Sequence, residues 1–221
     1  MQQFLTTCLL FSIVVLPGCV PTYYNKLTTV ATDQHCIDRI KPVVMGSGFY
    51  HASINVVGKH FSGLLFMKSM DDASSRVVFT SETGLTLFDF EYQANGSFNV
   101  KQIIPKMNKR VVIKTLGKDF GAMLGVPFIG KEPRALKDSR TLLYGVKDID
   151  ETYTYLVTTD NCDSLQRIEI GSEKKRLVSI SGVQADVLMS EKITIQHYTF
   201  NMEIVLNKIG RKKMQEDTTI N

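Results

Sequence analysis

Residues 76–92 read RVVFTSETGLTLFDFEY and contain two apolar runs separated by the polar turn Ser81–Gly84. The second run alternates strictly, because three aromatic residues are interrupted by two carboxylates (FDFEY, residues 88–92). Successive side chains of a strand point to opposite faces, so this alternation sends the rings to one side of a sheet and the carboxylates to the other. The stretch therefore predicts two strands of a sheet with an aromatic inner face and a solvated outer face.

The same pattern continues on both sides of this stretch. Upstream, FYHASINV (residues 49–56) and HFSGLLFMK (residues 60–68) flank Val57-Gly58-Lys59, which is typical of a hairpin turn. Downstream, Asn95-Gly96 is a strong turn signal before a strand at residues 97–104. The sequence therefore predicts five consecutive strands in an antiparallel meander.

After the fifth strand the hydrophobic period becomes helical. In KMNKRVVIKTLGKDFGAML (residues 106–124), apolar side chains at positions 112, 116, 120 and 123 fall on one stripe, and lysines lie elsewhere. Asn108 is the predicted N-cap, and Gly125 with Pro127 ends the helix. A further short helix is expected at Gln34–Ile40, before Pro42.

Strands resume beyond the helix, at residues 141–146, 152–159, 165–169, 176–181, 193–200 and 202–206. So many strands in one small domain curl rather than stay flat. We predict a mainly β fold over residues 31–208: a curved antiparallel sheet, or incomplete β-barrel, with one inserted amphipathic helix. Residues 209–221 are expected to form a polar tail.

The N-terminus has the features of an export signal. Residues 1–18 contain no Asp, Glu, Lys or Arg, and Phe4–Leu16 is a nearly continuous apolar run of signal-peptide length. That run is shorter than the roughly 20 residues needed to span a bilayer. Leu16-Pro17-Gly18-Cys19 resembles the lipobox of bacterial lipoproteins, which implies lipidation of Cys19. Residues 19–30 are then expected to be a lipidated N-terminus and tether. The alternative is a signal peptide without lipidation.

The cysteines that remain in the exported chain are Cys36 and Cys162. An even pair in an exported protein favours a disulfide, although two buried free thiols are the alternative. Neither cysteine has a second Cys or His at ligand spacing, so no metal site is predicted. The formal net charge of +4 is compatible with a position near anionic headgroups and does not indicate nucleic-acid binding.

Motifs of enzymes are absent from the sequence. It contains no G-x-S-x-G, H-E-x-x-H, P-loop or G-x-G-x-x-G, and its four histidines are scattered. Asp89 and Glu91 are interpreted as a solvated outer face rather than as a catalytic pair, which would converge from different strands. We expect no catalytic residue and no cofactor.

The chain resembles the lipoprotein-localisation factors LolA and LolB, and uncharacterised Bacteroidetes lipoproteins of that type. The resemblance lies in the order and hydrophobic pattern of its elements: SGLLFMK (residues 62–68), RVVFTSETGLTLFDFEY (residues 76–92) and then the helix. The resemblance covers roughly residues 48–205. It implies a membrane-anchored lipoprotein that binds lipid or lipoprotein acyl chains in an apolar cavity, as receptor or carrier in the cell envelope, on the periplasmic side of the outer membrane. An envelope protein is the expected partner in the alternative function given below, an interaction lipoprotein.

The residues expected to line such a cavity come from the sheet and from the helix stripe: Phe61, Leu65, Phe88, Phe90, Leu116 and Phe120. The apolar connection after the helix supplies the expected membrane contacts: Val126, Phe128 and Ile129. The alternative function is a structural or interaction lipoprotein with the same fold and a filled core. The sequence does not separate an open interior from a filled one.

Overall fold

The computed structural model describes Tyr24, residues 26–172 and residues 174–210. Within that part of the chain, thirteen strands form one sheet in which every strand pairs antiparallel to its neighbours. The strands are β1 (Thr28–Val30), β2 (Ser47–Val56), β3 (Lys59–Ser69), β4 (Ser75–Ser81), β5 (Thr86–Tyr92), β6 (Phe98–Ile103), β7 (Arg134–Lys137), β8 (Thr141–Lys147), β9 (Tyr153–Thr159), β10 (Leu165–Gly171), β11 (Arg176–Ser181), β12 (Lys192–His197) and β13 (Met202–Lys208).

The sheet order is β1-β7-β8-β9-β10-β11-β12-β13-β2-β3-β4-β5-β6. The sheet is not closed, because β1 and β6 stand at its two ends. Two helices accompany it, α1 (Gln34–Ile40) and α2 (Arg110–Met123). The prediction of a mainly β, curved antiparallel sheet that forms an incomplete barrel with a helix is therefore confirmed.

The alternation that predicted the sheet is present in the structure. Phe88 and Phe90 are fully buried on the face that carries α2, which we call the inner face. Asp89 and Glu91 lie on the outer face, where Arg76 of β4 donates to Asp89 and Lys101 approaches Glu91 at 3.5 Å. The carboxylates are thus neutralised by basic side chains of neighbouring strands.

The predicted tether, residues 19–30, extends too far along the chain. Thr28–Val30 is strand β1, paired with β7, and the side chain of Tyr24 is buried. Tyr24 stacks on Tyr155 with ring centroids 4.4 Å apart, and its hydroxyl donates to Glu169. The reason is that the outer face of β7–β9 carries an apolar and aromatic cluster of its own, which the N-terminal segment covers.

Helix α1 agrees with the prediction, whereas α2 begins later in the chain than predicted. α1 has the predicted bounds, and the Asp33 side chain caps it by accepting from the backbone of His35 and Cys36. α2 begins at Arg110 rather than near Lys106, and Lys109, not Asn108, occupies the N-cap without a side-chain hydrogen bond. The backbone N–H of Asn108 instead donates to Ile104 in a turn that follows β6.

Candidate functional site: the helix-covered inner face

Five aromatic side chains form a continuous row on the inner face of β4, β5 and β6. Neighbouring rings contact each other at centroid distances between 4.4 and 5.5 Å. The row arises because facing positions of adjacent strands point to one side of a sheet, and the register aligns aromatic positions across β4, β5 and β6. We call this set the aromatic row: Phe79, Phe88, Phe90, Tyr92 and Phe98.

Helix α2 covers the aromatic row closely. Phe120 of the helix contacts Phe88 at 5.8 Å between ring centroids. Two glycines let the helix backbone approach the rings: a Cβ at Gly117 would lie 2.8 Å from the Phe98 ring, and one at Gly121 would lie 3.2 Å from the Tyr92 ring. The Tyr92 hydroxyl donates to the backbone carbonyl of Gly117 at 2.9 Å. The helix therefore lies against the sheet at a distance that larger side chains would prevent.

The predicted cavity residues are brought together at this site. Leu65, Phe88 and Phe90 from the sheet and Leu116 and Phe120 from the helix are at most 4% exposed and belong to one apolar cluster. Phe61 packs against the same cluster and is half-buried. Because these side chains are covered by protein atoms, the inner face is packed against α2 in this conformation.

A buried polar pair joins α2 to the far side of the sheet. The imidazole Nε2 of His197, on β12, lies 2.8 Å from a carboxylate oxygen of Asp119, on α2. Both side chains are almost completely buried. Burial raises the pKa of Asp119 because the charged form loses its hydration, and the hydrogen bond with His197 offsets only part of this effect. The pair fixes the rotation of α2 about its axis, because a buried carboxylate needs this partner.

A second set of polar contacts lies along the lysine side of α2. Lys118 contacts Asp148, Asp150 and Thr152 in the β8–β9 turn, and Lys114 lies 3.1 Å from Asp150. Burial opposes ionisation of Asp150, but the hydrogen bonds from Lys118, Thr152 and Lys114 outweigh it and lower the pKa of its carboxyl. These contacts attach α2 to strands that the aromatic row does not reach.

The connection after α2 is only partly exposed. Phe128 is buried in the core, which corrects its assignment as an exposed membrane contact. Val126 is half-buried, and only Ile129 is exposed. Both lie against Gly96 in the β5–β6 turn. The short 3-10 helix Val126–Phe128 turns the chain back onto the sheet, and this buries the phenyl ring.

Cys36 and Cys162 are joined by a disulfide in the structure, with their Cα atoms 5.8 Å apart. The bond connects α1 to the β9–β10 turn. Cys19, the predicted lipidation site, lies outside the described residues.

Sequence reasoning missed the pair of Asp119 and His197. The two residues are 78 positions apart, and neither stands in a motif. The one available signal is that Asp119 directly precedes Phe120 of the helix stripe, a position close to the apolar side of α2.

No group of three or more His, Cys, Asp or Glu side chains is placed to hold a metal ion within the described residues. In the same part of the chain, no helix is long and apolar enough to cross a membrane.

A scan against protein-family models finds no match, and a search of curated proteins finds no relative. The solved structures that are similar to this chain include two with the following descriptions. A DUF1329 family protein from Desulfovibrio piger ATCC 29098 has a TM-score of 0.39 and 10% identity over 74% of this chain and 84% of that chain. An outer membrane lipoprotein-sorting protein domain from Vibrio parahaemolyticus, described as putative, has a TM-score of 0.47 and 8% identity over 84% of this chain and 95% of that chain. Because both TM-scores lie below 0.5, neither likeness is evidence for the function of this chain.

Proposed function

We propose that this chain is a membrane-anchored lipoprotein of the cell envelope that binds acyl chains between α2 and the aromatic row, on the periplasmic side of the outer membrane. In this proposal α2 is a lid. The lid is closed in the described conformation, and an acyl chain enters when α2 moves away from the rings. The proposal includes no catalytic step.

The observation that supports this proposal is the contrast between what α2 covers and how it is attached. It covers a row of aromatic rings through the small surface of Gly117 and Gly121. Besides three large buried side chains, Leu116, Phe120 and Met123, it is attached by polar contacts from Tyr92, Asp119 and Lys118. A hydrogen bond contributes a net stabilisation of only about 0.5–1.5 kcal/mol, because water replaces it when it breaks. A helix held partly in this way separates from the sheet at lower cost than one held by interlocking side chains along its whole length.

The energy available from a ligand is sufficient to displace the helix. An acyl chain gains about 0.8 kcal/mol for each buried CH₂ group, so a 16-carbon chain contributes roughly 12 kcal/mol at most. Exposing the three large buried apolar side chains of the helix, Leu116, Phe120 and Met123, costs about 1.5–3 kcal/mol each, which the ligand still outweighs. The ligand covers the rings that the helix leaves, so the row itself stays out of water.

Substitution of Gly121 tests the lid directly. We expect Gly121→Val to push α2 away from the buried Tyr92 ring, to lower the stability of the closed form, and to raise the affinity for a fluorescent fatty acid severalfold. Val157→Ala is the matched control, because Val157 lies in the cluster on the outer face and its truncation costs about 2 kcal/mol without touching α2. Thermal melts and fatty-acid titrations are made on the same proteins.

The wild-type chain is expected to bind the fatty acid, and the control to bind it with unchanged affinity. Absence of binding in both wild type and Gly121→Val would contradict the proposal. An equal gain of affinity in Val157→Ala would show that general loosening, and not the lid, admits the ligand.

The anchor is tested separately. Cys19→Ser is expected to abolish labelling with palmitate and processing by the lipoprotein peptidase, because the thiol is the acceptor of the lipid. Unchanged labelling would exclude Cys19 as the site of attachment without bearing on the lid.

A second function has one specific observation in its favour. The interior of the closed form is packed, and the outer face of β2–β4 carries a partly exposed apolar patch of Phe49, Leu64 and Phe66. A structural or interaction lipoprotein would use such a patch to bind an envelope protein while its core stays filled. If neither the wild type nor Gly121→Val binds fatty acid, this second function is favoured.

A further inference from the structure

The hairpin turns at one end of the strands carry exposed apolar side chains. We call the row of turns at one end of the strands an edge of the sheet. Antiparallel alternation places five turns on this edge, consecutively along the sheet: β8–β9, β10–β11, β12–β13, β2–β3 and β4–β5. Four of these turns present large apolar residues to solvent, and we call these residues the apolar rim: Ile149, Tyr198, Phe200, Val57 and Leu85. Ile149 is fully exposed.

The turns themselves do not require these side chains. Val57 stands at a φ of 47°, a left-handed conformation that a β-branched residue rarely adopts, and its side chain is 71% exposed. Asn or Gly would satisfy the same turn without strain. The turn therefore does not require the valine side chain, most of which is exposed to solvent.

The opposite edge has a different chemistry. Its four tight hairpins, at residues 70–74, 93–97, 138–140 and 160–164, carry one arginine, Arg140, and five exposed aspartates: Asp71, Asp72, Asp138, Asp160 and Asp163. The exposed apolar residues on this edge lie outside these four hairpins, at Val43, Met45, Ile129 and Met189. The hairpin tips of the two edges therefore differ in chemistry: they are apolar on the rim and acidic on the opposite edge, which we call the acidic edge.

The acidic groups of the apolar rim are already engaged. Asp148 and Asp150 contact Lys118, Glu151 pairs with Lys147, and Glu82 accepts a hydrogen bond from Ser62. Glu173, in the β10–β11 turn, lies outside the described residues.

Exposed basic residues stand along the same edge. Lys174 and Lys175 lie in the β10–β11 turn, and Lys106 and Lys109 lie in the connection that leaves β6 from this edge. This arrangement suits a surface of anionic headgroups, because lysines and apolar tips stand side by side on the same edge.

The side chain of Tyr24 reaches towards this edge. A Cβ at Gly171, the last residue of β10, would lie 2.8 Å from the far end of the Tyr24 ring. Residues 20–23 separate Tyr24 from Cys19, and five steps of extended chain span at most about 18 Å. A lipid on Cys19 would therefore keep the domain close to the bilayer.

We propose that the apolar rim docks on the surface of an anionic phospholipid bilayer, with Ile149, Tyr198 and Phe200 inserted at the headgroup boundary. The acidic edge then points away from the membrane. The inference rests on the proposed function in one respect, which is that Cys19 carries the anchor.

The experiment uses the full-length acylated protein reconstituted into vesicles of phosphatidylethanolamine and phosphatidylglycerol. An environment-sensitive fluorophore is attached at Ile149→Cys or at Tyr198→Cys. The matched control is Met45→Cys on the opposite edge, where Met45 is 69% exposed. We expect a blue-shifted emission and at least fivefold stronger quenching by nitroxide lipids at positions 149 and 198 than at position 45. In vesicles of phosphatidylcholine alone the difference should be smaller.

Mass spectrometry of the same sample reports whether Cys19 is acylated, so failure of the anchor is seen independently of the rim. If the protein is acylated and bound, equal aqueous emission at positions 149 and 45 would overturn the proposal. Protection of position 149 only on native envelope membranes, and not on pure lipid, would also overturn it and would indicate a protein partner.

Discussion

At the scale of single residues, the most informative feature is a carboxyl group in an apolar place. Asp119 and His197 are both buried within the packed inner face. A buried pair of this kind stabilises little compared with apolar residues of similar volume, because both groups lose their hydration. What it supplies is a defined position for α2, since the carboxyl has to meet one particular ring.

Replacing this carboxyl by an amide should change the pH dependence of stability. The pKa of Asp119 is raised from 3.8 by burial. Well below pH 3.8 the carboxyl is protonated in both the folded and the unfolded state. As the pH rises, it ionises first in the unfolded chain, and the wild type loses stability until the carboxyl of the folded protein ionises too. The stability of Asp119→Asn relative to wild type should therefore be lowest near pH 4, increase above it and then level off. Urea unfolding at a series of pH values measures this difference.

The matched control has the opposite sign. The pKa of Asp150 is lowered by its hydrogen bonds from Lys118, Thr152 and Lys114, so its contribution is present above the unfolded pKa and is lost as the pH falls. Asp150→Asn should be less stable than wild type at pH 7, and the two should converge in acid. A stability of Asp119→Asn that decreases relative to wild type above pH 4 would show that the charged pair stabilises the fold.

At the scale of elements, the spacing of hydrophobic residues predicted most of the strands and both helices. Strands β2–β6 were predicted because turn residues separate their apolar runs: Gly or Asn in three of the turns, and the polar Asp71–Ser75 loop between β3 and β4. β7 was missed because Arg134–Lys137 is four residues long and shows too little alternation to detect. β1 was missed because Thr28–Val30 becomes a strand only through pairing with β7. The predicted cavity residues came together because they lie on the same face of the sheet or of the helix. How closely α2 packs against them depends on the shapes of the side chains, which the spacing of hydrophobic residues does not determine.

The packing of α2 gives a prediction at this scale. Leu116 is 4% exposed, so the added volume in Leu116→Phe has no space to enter in the closed form. We expect a loss of about 1–3 kcal/mol in the free energy of unfolding. Val111→Phe, on the exposed side of the same helix, is the control and should change stability by less than about 0.5 kcal/mol. Unchanged stability of Leu116→Phe would mean that the space beside this residue is open.

At the scale of the whole molecule, two distant attachments hold the N-terminal segment to the sheet. Tyr24 stacks on the outer face and donates to Glu169, which also accepts from Arg167 and Arg176. Twelve residues further on, α1 is joined to the β9–β10 turn through Cys36 and Cys162. The first described residues are thus connected to the sheet at two separate points, one on its outer face and one at the β9–β10 turn.

The disulfide carries the last prediction. It closes a loop with a sequence separation of 126 residues, and restricting the unfolded chain by such a loop stabilises the folded state by about 4–5 kcal/mol in the chain-entropy model. The double variant Cys36→Ala and Cys162→Ala should therefore melt well below wild type, and reduced wild-type protein should melt close to the double variant. Met67→Leu, a buried swap of similar volume, is the control and should cost less than about 1.5 kcal/mol. If reductant leaves the wild-type melt unchanged and both thiols titrate after denaturation of oxidised protein, the two cysteines are free and the bond is absent. A shift on reduction that the double variant lacks would establish that the connection between α1 and the sheet depends on this bond.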